Sequence, residues 1–144
     1  MSFRFSLEAV LRYRQSLEDA ALRHLQMLIL QRAQLNQEVR QIQLARRQSR
    51  EAVWEAMQQS PHSGAELQLV ELANQSLASS VDQVQKRLAG LEKTIAQQTG
   101  HYQTERQKRE MLSSLRERRL RDYQSELQHR EQHRLDELRL LKRI

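Results

Sequence analysis

His129 and His133 lie four residues apart, the spacing at which two imidazoles share a helix face and can grip a metal ion. The residues between them are Arg130-Glu131-Gln132, without the glutamate placement of the helical metalloprotease motif. No third ligand stands near them, and the chain has no cysteine, so neither a thiolate metal site nor a disulfide framework is available. Its three glycines are isolated, so no phosphate-cradling loop exists. Two long helices offer no pocket in which a nucleophile, a base and an oxyanion donor could meet. The reading is therefore a non-enzymatic protein with no catalytic residues, no cofactor and no metal.

The side chains left to do chemistry are arginines. Of the 24 basic residues only Lys86, Lys93, Lys108 and Lys142 are lysine, and the net charge is +6. Guanidinium groups make bidentate contacts with carboxylates and phosphates, so the charge suits nucleic acid, an anionic membrane or an acidic protein. Aspartate and glutamate are interleaved throughout, and no base-stacking aromatics accompany the arginines, which argues against nucleic acid. No run approaches the ~18 apolar residues of a membrane span, and Met1-Ser2-Phe3-Arg4-Phe5 has no signal-peptide character. A cytoplasmic protein that touches other proteins, without inserting into a membrane, is expected.

What positions those arginines is a heptad pattern. Leu7, Leu11, Ala21, Leu25, Leu28, Leu35, Val39, Ile42, Val53 and Ala56 follow alternating four- and three-residue steps. Leu67, Val70, Leu77, Val81, Val84, Leu88, Leu91 and Ile95 continue the rhythm beyond Ser60-Pro61-His62-Ser63-Gly64, which holds the only proline. A sustained 3.5-residue apolar repeat marks helices that wrap on each other. The fold class predicted is all-α: one long antiparallel two-helix coiled-coil hairpin, a single domain over 1–144 with the C-terminal helix the longer. Helix 1 is placed at about 6–58 with Ser6 as N-cap, the turn at 59–64, and helix 2 at about 65–142 behind a Ser63–Glu66 capping box.

A register in which facing seam positions sum to 123 pairs Ala56 with Leu67, Val53 with Val70, Leu35 with Leu88 and Ala21 with Tyr102. It also brings polar Ser49 against polar Asn74 in one layer. Arg14 and Glu18 then meet Arg109 and Glu105 as a neutral quartet at the seam edge, within a stretch, 12–20 against 97–110, expected to pack loosely. Helix 1 runs out near Leu7, opposite Arg116, so residues from about 117 to 144 should overhang by about 40 Å unless the first residues bend back. The overhang carries Leu120, Tyr123, Leu127, Leu138 and Leu141, and an unpaired helix with such a stripe normally docks on something. Leu44, Trp54, Leu69 and Leu72 lie off the seam toward the hairpin end and could form a contact patch.

The opening Phe3-Arg4-Phe5-Ser6-Leu7-Glu8-Ala9-Val10-Leu11-Arg12-Tyr13-Arg14 resembles that of the flagellar export protein family FliJ. So do Leu17-Glu18-Asp19-Ala20-Ala21 and the late Leu135-Asp136-Glu137. The resemblance implies a stalk of the flagellar type III export apparatus, similar to the central shaft of rotary ATPases. Its implied partners are the export ATPase hexamer, the cytoplasmic domain of the membrane export gate, and export chaperones. Its implied place is the cytoplasm, peripheral to the inner membrane at the flagellar base. The overhang's Arg118, Arg119, Arg121, Arg130, Arg134, Leu138 and Leu141 would then meet the ATPase ring. By position, Gln37, Gln41, Leu44, Gln48, Ala73 and Leu77 would lie near the gate-contacting surface. An unrelated coiled-coil adaptor and the equivalent stalk of a virulence secretion system are the alternatives.

Overall fold

The computed structural model describes residues 2–59 and 64–143. Two long helices pack against each other as an all-α hairpin, with no strand among the described residues: α1, Glu8–Gln59, and α2, Gly64–Lys142. Each begins with an acidic residue in its first turn, Glu8 and Glu66, and α2 ends on Arg139 and Lys142, all signs that suit the helix dipole. The proline turn and the Ser63 half of the capping box fall outside the described residues. The first helical bond of α1 is Leu11 N–H to the Leu7 carbonyl at 2.9 Å. Ser6, expected as the cap, instead uses its hydroxyl to accept a hydrogen bond from Arg119 Nη1 at 2.9 Å.

The contacts divide the chain into two compact units, one of residues up to Leu22 with those from His101 on, the other Arg23–Gly100. In the second unit the buried residues are Leu25, Leu28, Val81, Val84 and Ile95, all at predicted seam positions. Toward the chain reversal the seam thins: Leu35, Val39, Ile42, Val53 and Val70 are half-buried, and Leu67 is exposed. Val53, Ala56, Leu67 and Val70 nevertheless line one hollow of about 170 Å³, as the register requires. Ser49 and Asn74 are both half-buried, and Asn74 Oδ1 has no partner. Arg32 reaches Glu92 at 3.4 Å.

In the first unit the buried residues are Phe5, Leu11, Ala21 and, unexpectedly, Glu105. Within the stretch expected to pack loosely, 12–20 against 97–110, Glu105 is the one buried residue, and charges of opposite sign occupy the seam positions. Arg109 donates to both Glu18 oxygens, at 2.6 and 3.1 Å, and Arg14 lies 3.9 Å from Glu105. The quartet is present, closed by bonds between the helices. With Glu8–Arg116 at 3.1 Å, these pairs straddle the expected register and fix the helices as antiparallel.

Candidate partner-binding surfaces

Residues 2–7 determine how much of α2 is covered. They precede α1 and run on along α2, where two aromatic rings and two arginines interlock. Phe5 is buried. The Arg119 guanidinium lies 5.6 Å from the Phe5 ring centre and Arg116 lies 6.0 Å from that of Phe3, both within cation–π range. Phe3 meets Tyr123 with ring centres 5.6 Å apart and planes tilted by 47°, a favourable aromatic arrangement. The covered part of α2 thus extends to Tyr123 rather than stopping near Arg116. From Gln124 to Arg143 every residue is exposed, so the overhang begins later than 117.

The electrostatics of the adjoining seam follow from the Glu18–Arg109 bond. The Arg109 hydrogen bond holds the Glu18 carboxyl below its usual range, and the same bond raises Arg109 above its own. Arg106 is likewise raised by its bond to Glu110, 2.9 Å away on the same helix. Glu105 Oε2 is buried without a hydrogen bond, although Arg14 lies 3.9 Å from it and Lys108 lies 3.9 Å from Oε1.

The residues assigned to the ATPase ring, Arg118, Arg119, Arg121, Arg130, Arg134, Leu138 and Leu141, are all exposed on α2. Arg118, Arg119 and Arg121 precede the uncovered stretch and the other four lie on it. Arg119 is held by Ser6 and Phe5, while Arg130, Arg134, Leu138 and Leu141 stand on the uncovered stretch, where Arg130 pairs with Glu126 one turn back, at 2.7 Å. Arg118 borders a hollow of about 690 Å³ whose lining, Gln107 to Arg118, comes from α2 alone, so it is a surface strip and not a chamber. Of the residues assigned to the export gate, Gln37, Gln41, Leu44 and Gln48 share one exposed face of α1 and Ala73 is exposed on α2, whereas Leu77 is half-buried in the seam. Trp54, Leu69 and Leu72 are exposed as well. His133 Nδ1 lies 3.3 Å from Glu137, and no group of three metal-binding side chains occurs among the described residues. The packing of Phe3 on Arg116 and Tyr123 and the burial of Glu105 have no signal in the sequence pattern. The alternating phenylalanines were visible, but no repeat links that segment to a helix face.

A family profile described as Flagellar FliJ protein matches residues 3–142. The chain belongs to the FliJ family. That membership ties it to flagellar protein export and covers both helices and the N-terminal segment docked on α2. Comparison with curated proteins and with solved structures returned no match. No helix among the described residues is long and apolar enough to cross a membrane.

Proposed function

We propose that the chain is a non-enzymatic stalk of the flagellar type III export apparatus, which promotes assembly of the export ATPase ring and links that ring to the export gate and to export chaperones. It would act in the cytoplasm, peripheral to the inner membrane. The observation that carries the reading is the family match over 3–142, and the architecture supports it. A ring can grip a helix only through exposed side chains, and the uncovered end of α2 offers Arg130, Arg134, Arg139, Lys142 and Arg143 with Leu138 and Leu141 among them. Acidic or polar pore loops would meet such a surface, with association that weakens as salt rises. The exposed α1 face of Gln37, Gln41, Leu44 and Gln48 is assigned to the gate.

The docked N-terminal segment dictates how to test this. A chain ending at Tyr123 keeps Phe3, Phe5, Arg116 and Arg119 together and removes only the uncovered helix. It should remain helical and antiparallel, yet fail to stimulate ring formation and ATP hydrolysis by the export ATPase. Arg130→Glu with Arg134→Glu in the full chain should lose part of that stimulation. A chain ending at Tyr123 that stimulates at full strength would place the ring contact elsewhere and overturn this account of the stalk.

A further inference from the structure

One stretch of α1 concentrates arginines that form no ion pair among the described residues. Between Glu38 and Glu51 lie Arg40, Arg46, Arg47 and Arg50, and no acidic residue. The α2 segment 72–81, set across from it by the register, contains no charged residue at all. The basic residues of 106–109 and Arg119 differ in having partners. Arg106, Lys108 and Arg109 meet Glu110, Glu105 and Glu18, and Arg119 is held by Ser6 and Phe5. Among the described residues, Arg40, Arg46, Arg47 and Arg50 enter no ion pair.

Their placement is ordered. Arg40, Arg47 and Trp54 recur every seven residues and so form one column on the coiled-coil surface. Gln43, Arg50 and Met57 form the next column. The three arginines of these columns are exposed, Trp54 is 65% exposed and Met57 46%. Gln43, Arg46, Arg47 and Arg50 line a groove of about 360 Å³, and Arg46 Nε is buried without a partner.

We propose that this face of α1 binds the headgroup surface of an anionic bilayer, its arginines on the phosphates and Trp54 at headgroup depth. Guanidinium pairs with phosphate in a planar fork, and each basic residue near an anionic surface strengthens binding by roughly fivefold. An indole, apolar with one polar edge, favours the membrane–water interface. The groove is lined by α1 alone, with no wall from α2 to hold a peptide. A helix face of this kind presents Arg40, Arg47 and Arg50 to a plane together.

Trp54 is the only tryptophan, so its emission reports on this face alone. The full chain should co-sediment with vesicles of phosphatidylcholine mixed with phosphatidylglycerol and not with phosphatidylcholine alone. Binding should weaken with salt and shift Trp54 emission to the blue. Arg40→Gln, Arg47→Gln and Arg50→Gln together, with helicity checked by circular dichroism, should weaken binding by about a hundredfold. Removing the same charge at exposed Arg23, Lys86 and Lys93 should cost only a few-fold and leave the Trp54 shift intact. Equal losses in the two triple variants would reduce the effect to net charge and overturn the proposal. So would sedimentation without a Trp54 shift, which places the contact on another face. A Trp54 shift with polyglutamate but not with vesicles would assign the face to an acidic protein instead.

Discussion

The two units solve one packing problem in different ways. In Arg23–Gly100 the seam is closed by Leu25, Leu28, Val81, Val84 and Ile95, and its inter-helix ion pair, Arg32–Glu92, sits in the open at 3.4 Å. In the other unit the buried apolar residues are Phe5, Leu11 and Ala21, and the same inward positions hold Arg14, Glu18, Glu105 and Arg109. Aliphatic layers resemble one another, so a heptad slip replaces one Leu–Val contact with another at small cost. A charged layer does not permit this, because a slip would leave Glu105 or Glu18 withdrawn from water beside the wrong partner. The comparison teaches that strength and register can be assigned to different stretches of one coiled coil, with a few seam charges specifying alignment.

The largest effect should come from the aliphatic seam. Leu28→Ala removes a buried side chain and should cost about 2–3 kcal/mol, the low end for such truncations because a two-helix seam can close on the gap. Urea unfolding followed by circular dichroism would measure it. Glu18→Gln should cost less, about 1–2 kcal/mol, because Arg109 loses a charged acceptor and keeps a neutral one. Equal losses from the two variants would end the distinction between the units.

The two long helices, their antiparallel pairing and most seam residues were legible in the sequence, because each rests on a short-range period; the cap at Ser6 was not, since α1 begins at Glu8 and the Ser6 hydroxyl turns to Arg119. Arg14, Glu18, Glu105 and Arg109 were legible as a group. The burial of Glu105 was not, since periodicity tells which face a residue occupies and not how closely the facing helix approaches it. The docking of Phe3 and Phe5 on Arg116, Arg119 and Tyr123 was invisible for a different reason. That segment is not helical, so no repeat extends the register into it. The unpaired arginines of 40–50 were plain in composition, but only the structure shows that no carboxylate among the described residues reaches them.

Acid should sharpen the contrast. Glu18 has its native pKa lowered, chiefly by the Arg109 hydrogen bond, so the stability it contributes is present above the ordinary carboxylate value. That contribution is lost as pH falls through the lowered native value, when the native carboxylate takes up its proton. Glu18→Gln cannot titrate there. The gap in melting temperature between the parent chain and Glu18→Gln should therefore be widest near neutrality and close in acid. Leu28→Ala should keep its deficit at both ends of the range. A Glu18→Gln gap that persists unchanged at low pH would mean that the residue contributes through shape and not charge.

The smallest effect belongs to the exposed pair. Arg32 and Glu92 lie as close across the helices as many buried pairs, yet their side chains are 36% and 54% exposed, against 26% and 13% for Arg109 and Glu18. Water and salt screen the open pair, and holding two long side chains in one geometry costs entropy, so its coupling should be below about 0.5 kcal/mol. The Glu18–Arg109 pair has two hydrogen bonds and less water, so its coupling should exceed 1 kcal/mol, on the scale of bonds to charged groups. Two double-mutant cycles, Arg32→Gln with Glu92→Gln and Glu18→Gln with Arg109→Gln, measure both in the same chain. Raising the salt should shrink the first coupling toward zero and leave most of the second. If the two couplings were equal and equally sensitive to salt, the seam charges would be surface charges in energetic terms, and alignment of the helices would have to come from the aliphatic layers alone.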